Sequence, residues 1–368
     1  MSPENSAFIA SSRGGAALLV LVAHMQQVYL GPIGLGFHPY RLLVSQLAVM
    51  VFFVLSGFLI GKSITAKTSV GDYRFSRYGL DRAWRILPPL ALSFVVMVVL
   101  AYLAPVAFPS GGAEYLPEKT YVVIGAYTLH VRELLTATLF LNGFFGDNPL
   151  INGPLWSLAY EVWLYALAGA AVVFRKSRPG QLAIVATLVV LVARNPKFGA
   201  YGLVWTAGFA LCLAHNNGVL RSLRRPLGML AAAFTVIALA FGSLYVGSYN
   251  RTSDIHLANF HYVVLFNLFL GLSYACMLAA VLDRSTRSLR PLAASSAFSY
   301  TLYIVHFPIL LFVFGVFQLP LHSSHGAVVA VWIASLIGVI LFSAWAAKLV
   351  ENKRAMQGIF FRISGVLR

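Results

Sequence analysis

Ten apolar runs of spanning or near-spanning length divide this chain, near residues 14–32, 42–61, 88–108, 153–174, 181–194, 199–215, 227–247, 261–282, 295–318 and 326–347. A bilayer core takes about 20 helical residues to cross, and lipid offers no partner to an unpaired backbone group, so runs of this kind fold as helices packed side by side. The predicted fold is all-α: a polytopic integral membrane protein of about ten transmembrane helices, forming one domain over residues 1–368. Apolar residues make up 59% of the chain and charged residues 10%, too few of the latter to cover a soluble domain of 368 residues. The two cysteines, Cys212 and Cys276, both lie in apolar runs, which gives neither a disulfide framework nor a metal-ligand spacing. The first 13 residues lack a basic region ahead of a cleavable apolar stretch, so the first helix is expected to be retained.

Charge fixes the orientation. Short cytoplasmic loops collect Lys and Arg, and with ten spans and both termini cytoplasmic, 21 of the 27 basic residues fall inside. Arg41, Lys119, Arg132, Arg194, Lys197 and Arg251 remain outside. A further apolar piece, Leu134 to Phe145, is interrupted by Asn142 and Gly143; if it crossed, every later basic loop would be exported. It is therefore expected to be re-entrant or to lie on the surface, within an outer loop of residues 109–152. The formal charge of +16 follows from basic loops facing anionic lipid, with no nucleic-acid partner implied. One loop, residues 62–87, is denser in charge than orientation requires: Arg82 and Arg85 fall three apart at an expected helix start, just before Pro88 and Pro89. Arginines so spaced share a helix face and can grip a polyanion, although a topological anchor explains them equally well.

Ionisable residues inside the spans narrow the chemistry, because each is costly there and is retained where it has a partner or a task. Arg13 and His24 are eleven residues apart on the first helix, nearly on one face, with His24 about 16 Å deeper. Ser157, Glu161 and Tyr165 recur every fourth residue on the fourth span, and Ser299, Tyr303 and His306 form a stripe on the ninth. His24, Glu161 and His306 thus reach similar depth from three helices, as a shared polar cavity would require. A carboxylate beside an imidazole fixes its tautomer and raises its basicity, which makes a general base for a hydroxyl.

Five segments in register resemble the membrane acyltransferase family 3: SRGGAALLVLVAH, FFVLSGFLIG, DRAWRILPP, NGPLWSLAYE and SYTLYIVH. The resemblance covers nearly the whole chain. It implies transfer of an acyl group, acetyl foremost, from cytoplasmic acetyl-CoA or another acyl-CoA co-substrate to a sugar hydroxyl of an exported or cell-surface glycan or lipid-linked sugar, at the inner membrane. By position, Arg13 and His24 match the first-helix pair of the family, Arg82 and Arg85 the basic motif linked to coenzyme A, Trp156, Ser157 and Glu161 the fourth-span motif, and Tyr303 and His306 the late motif. Two departures stand out. Many relatives carry an acid three residues before the first arginine, where this chain has Ala10, so an ion pair for Arg13 is expected to be missing. Many also continue into a soluble hydrolase-like domain, while this sequence stops at Arg368.

The expected mechanism places coenzyme A phosphates near Arg82 and Arg85, with the thioester arm entering past Arg13. His24, assisted by Glu161, deprotonates the acceptor, and Tyr303 or Ser157 donates to the oxyanion. No metal takes part. The rival expectation is a proton-coupled transporter or flippase, which midplane His and Glu residues would also serve. That class favours inverted repeats with paired broken helices, and the sequence has no such internal symmetry.

Overall fold

The computed structural model describes residues 3–30, 39–116, 125–252, 259–282 and 290–366. Lys119, Arg284, Arg287 and Arg368, counted above for orientation, lie outside the described residues. The chain is a bundle of α-helices: α1 (Pro3–Tyr29), α2 (Pro39–Ser69), α3 (Phe75–Ala107), a short α4 (Val131–Thr138), α5 (Trp156–Val173), α6 (Arg178–Arg194), α7 (Pro196–Asn216), α8 (Leu220–Thr252), α9 (His261–Val281), a short α10 (Arg290–Ser295), α11 (Ser299–Val316), a short α12 (Gln318–Ser323), α13 (His325–Val350) and α14 (Lys353–Val366). Among the described residues nine helices are long and apolar enough to cross a membrane: α1, α2, α3, α5 with the 3-10 turn before it, α7, α8, α9, α11 and α13.

The tenth crossing is α6. Its 17 residues measure about 26 Å, at the short end of the spanning range. Its start lies beside Phe174 at the end of α5, against which a Cβ on Gly180 would collide. Its other end holds the connection between α3 and α5: Arg194 Nε donates to the Phe144 carbonyl at 3.2 Å, and Asn195 Nδ2 to the Gly143 carbonyl at 2.8 Å. The same conclusion follows from parity. Arg13 of α1 meets Ser299 of α11, and eleven residues later His24 meets His306, so the two helices run parallel. Parallel α1 and α11 require an odd number of crossings between them, and α2, α3, α5, α7, α8 and α9 supply an odd number only with α6.

The basic segment 62–87, expected to be a loop with its arginines at a helix start, is mostly helical. α2 runs on to Ser69 and α3 begins at Phe75, leaving residues 70–74 as the turn. Pro88 and Pro89 therefore sit inside α3 rather than at its head, a position bundle neighbours make tolerable in membrane helices. Tyr73 and Tyr78 tie this end to α5, donating to the Gly169 and Tyr165 carbonyls at 3.1 and 3.2 Å.

At the opposite face, α4 has only eight residues, too few to cross. The connection between α3 and α5 is anchored on α11: Tyr127 donates to the Pro308 carbonyl at 3.0 Å and Tyr115 to the Leu311 carbonyl at 3.2 Å. Burial pushes both phenols up from their ordinary titration range, so they remain donors.

Close helix contacts use glycine where a side chain would collide. A Cβ at Gly57 of α2 would strike the Trp205 carbonyl of α7, and one at Gly208 would strike the Val54 carbonyl. The two backbones therefore approach closely through small residues, as membrane helices commonly do, and this brings Trp205 onto Ser56.

Candidate active site

One cavity gathers most of the expected site residues. It is lined by Arg13 from α1, Ser56 from α2, Arg82 and Arg85 from α3, Ser157, Glu161 and Tyr165 from α5, and Ser299, Tyr300 and Tyr303 from α11, with a free volume of about 70 Å³. No single helix could assemble this set. The arginines mark one end of the cavity, beside the basic turn. Asp81 fixes that end, bridging Lys67 of α2 at 2.7 Å and Lys353 of α14 at 2.7 Å. Arg82 then reaches Ser63 at 3.5 Å and lies 5.7 Å over the Tyr78 ring, while Arg85 is exposed.

Glu161 is bonded to two donors. Ser56 Oγ lies 2.5 Å from its Oε1, and the Tyr165 hydroxyl donates to the same oxygen. Trp205 Nε1 in turn donates to Ser56 Oγ at 3.2 Å. This arrangement changes the expected partnership, because Glu161 bonds Ser56 and Tyr165 and not His24. Ser56 was not singled out from the sequence, although it lies within FFVLSGFLIG; a lone serine in an apolar run has no pattern to separate it from a packing residue.

The partner of His24 is His306. Nδ1 of His24 and Nε2 of His306 are 3.0 Å apart, with ring centroids 5.0 Å apart. His306 is fully buried, and its Nδ1 lies 3.0 Å from the Leu302 carbonyl. A carbonyl only accepts, so Nδ1 of His306 holds the proton and its Nε2 in the neutral ring is an acceptor. Nδ1 of His24 must then be the donor, which leaves Nε2 of His24 with a free lone pair. Phe307 packs on the edge of His24 at 5.0 Å.

Tyr303 connects the pair to the cavity. Its hydroxyl lies 2.6 Å from Ser157 Oγ, and its ring centroid 6.1 Å from that of His306. Pro308 positions this part of α11: lacking an N–H, it leaves the Ile304 carbonyl without a helical donor, and Ser93 and Asn152 each supply one at 2.9 Å. Trp156 lies elsewhere. It packs among Phe53, Tyr160 and Tyr201, with centroids 5.1 to 6.3 Å away, and does not line the cavity. Among the described residues no three or more His, Cys, Asp or Glu side chains gather as a metal site.

This arrangement offers a cationic end suited to a polyanion, an imidazole nitrogen with a free lone pair, and hydroxyl donors between them. Residues 7–348 match the family described as "Acyltransferase domain", the third family of acyltransferases. Nodulation protein 10 of Rhizobium leguminosarum bv. viciae is 26% identical over 151 residues, which span 41% of this chain and 40% of that protein. The chain thus covers less than half the length of that curated relative. No solved structure matches this chain.

Proposed function

The chain belongs to the family 3 acyltransferases, and from that premise we propose that it transfers an acyl group, acetyl foremost, from acyl-coenzyme A to a sugar hydroxyl of an exported or cell-surface glycan. The observation that carries the reading is the single cavity holding Arg13, Arg82, Arg85, Ser157, Glu161 and Tyr303, with the His24–His306 pair next to Tyr303. In this reading the basic end faces the cytoplasm of a cell whose inner membrane holds the protein. Coenzyme A phosphates bind Arg82 and Arg85 through charge-assisted, forked hydrogen bonds, and the thioester arm passes Arg13.

The chemistry follows from the tautomers. Nε2 of His24 takes the proton of the acceptor hydroxyl as its oxygen bonds to the thioester carbonyl carbon. Charge that develops on the carbonyl oxygen is met by the hydroxyl of Tyr303 or Ser157. The carbon–sulfur bond then breaks, and the leaving thiolate recovers the proton from His24. His306 holds the His24 ring in the tautomer this needs. Glu161 is a fixed negative charge one turn from Ser157, held by Ser56 and Tyr165.

Purified protein incubated with radiolabelled acetyl-coenzyme A and a panel of glycan acceptors tests the proposal. Label transferred to a glycan is the expected result. Movement of an acceptor across proteoliposomes without covalent labelling would replace the enzyme by a carrier.

A further inference from the structure

Glu351 is the C-terminal cap residue of α13, where the partial negative charge of free carbonyls disfavours a carboxylate. Its carboxylate is engaged by another helix. Oε1 accepts from the backbone N–H of Thr301 at 2.9 Å and from Thr301 Oγ1 at 2.7 Å, in the first turn of α11. Free N–H groups and a partial positive charge at a helix start call for an anion, so the acid that ends α13 caps α11.

The same helix start faces a cation. Two residues before Thr301, Ser299 Oγ accepts from Arg13 Nη2 at 3.3 Å, and Arg85 lines the cavity beside it. Arg13 is thus set against a helix N-terminus and a second arginine. Glu351, bound at Thr301, and Arg13, bound at Ser299, engage the same first turn of α11, and Glu161 is the acid that shares the cavity lining with Arg13. Glu161 is already held by Ser56 and Tyr165. Position 10, one helical turn before Arg13, is alanine and offers no local acid.

We infer that Glu351 is a positioning residue for acyl transfer: its negative charge keeps Arg13 in the cavity wall while its oxygen caps the helix that carries Tyr303 and His306. The inference rests on the acyl-transfer reading above. Glu351 lies three residues beyond the stretch that matches the family, so this chain draws on a residue outside that stretch to balance its first-helix arginine.

Glu351→Gln separates charge from cap, because the glutamine oxygen still accepts from Thr301. With acetyl-coenzyme A as donor, kcat should fall about tenfold while KM for the donor stays within about twofold. Adding Ala10→Glu places a carboxylate one turn before Arg13 and should restore kcat to within about threefold of wild type. Glu351→Ala removes the cap as well and should also lower the thermal midpoint in detergent. A Glu351→Gln rate within twofold of wild type overturns the inference, and so does a loss that Ala10→Glu leaves in place. If wild-type protein transfers nothing, the acyl-transfer reading fails, and melting decides the pairing by itself. The midpoint losses of Arg13→Gln and Glu351→Gln must then be non-additive in the double variant, and additive losses overturn it.

Discussion

His24 and His306 stand 282 residues apart in sequence and 3.0 Å apart in space, each on a helix running in the same direction through the bundle. The contact orders two imidazoles by one chain of acceptors. The Leu302 carbonyl fixes His306, and His306 fixes His24. Only Nε2 of His24 is left to take a proton, so in the proposed mechanism the base is held in its tautomer by His306.

His24→Ala is expected to lower acyl transfer by about 100- to 10,000-fold, the usual cost of losing a general base. His306→Phe keeps ring bulk but removes the acceptor that orients His24; it should cost less, about 10- to 100-fold, with KM for both substrates little changed. Steady-state kinetics on folded, detergent-purified variants separate the two. Equal losses would mean that His306 itself takes part in proton transfer, and a wild-type rate for His24→Ala would remove the base.

The fold was legible because lipid leaves few choices. Run length and loop charge led to about ten helices, including the short 181–194 run that the parallel arrangement of α1 and α11 requires. Loop bounds were less legible: charged residues and Pro88–Pro89 read as a break, while neighbouring helices let α2 and α3 run on through them. Within the site, helical spacing placed Ser157, Glu161 and Tyr165 on one face and Ser299, Tyr303 and His306 on another, and the cavity receives five of those six. Spacing gives faces but not how neighbouring helices are rotated against one another. That is why the acid partner of His24 was sought in Glu161 and its true partner lies on α11. Trp156 shows the same limit, since its motif position could not reveal that its ring packs among Phe53, Tyr160 and Tyr201.

Ser56→Ala and Tyr165→Phe each remove one donor from Glu161. A partly buried carboxylate that loses a donor costs about 1–3 kcal/mol, so each variant should unfold at lower denaturant concentration than wild type. The double variant should show non-additive loss, because both donors serve the same oxygen. Restoring stability in the double variant with Glu161→Gln, which needs no charge compensation, completes the check. Unchanged stability in both single variants would mean that water satisfies the carboxylate.

The crossing of α6 has a direct consequence for labelling. In a background with Cys212 and Cys276 replaced by alanine, a cysteine at Ser110 or Ser323 should react with a membrane-impermeant thiol reagent added outside intact cells. One at Ser177, between α5 and α6, should not. Residue 285, in the loop expected on the same side as Ser177, lies outside the described residues. If Ser177 and Ser323 label from the same side, α6 does not cross and the ten-helix arrangement fails.

The donor end gives a prediction in which charge and anchoring disagree. Coenzyme A carries about four negative charges near neutral pH, and arginine binds phosphate through forked, charge-assisted bonds. Arg85 is exposed at the cavity, and Arg82 holds a long 3.5 Å contact to Ser63 and a 5.7 Å approach to the Tyr78 ring, so both guanidinium groups can turn to an anion without breaking an ion pair. Lys67 differs, since it is committed to Asp81 at 2.7 Å. Replacing Arg82 and Arg85 together with glutamine should raise the KM for acetyl-coenzyme A by about tenfold or more, while the KM for acceptor stays within about twofold. Lys62, Arg74 and Arg77 remain to hold orientation, so insertion should be unaffected. An unchanged donor KM in correctly inserted protein would leave these arginines as topological anchors and move coenzyme A recognition to Lys62, Arg74 and Arg77.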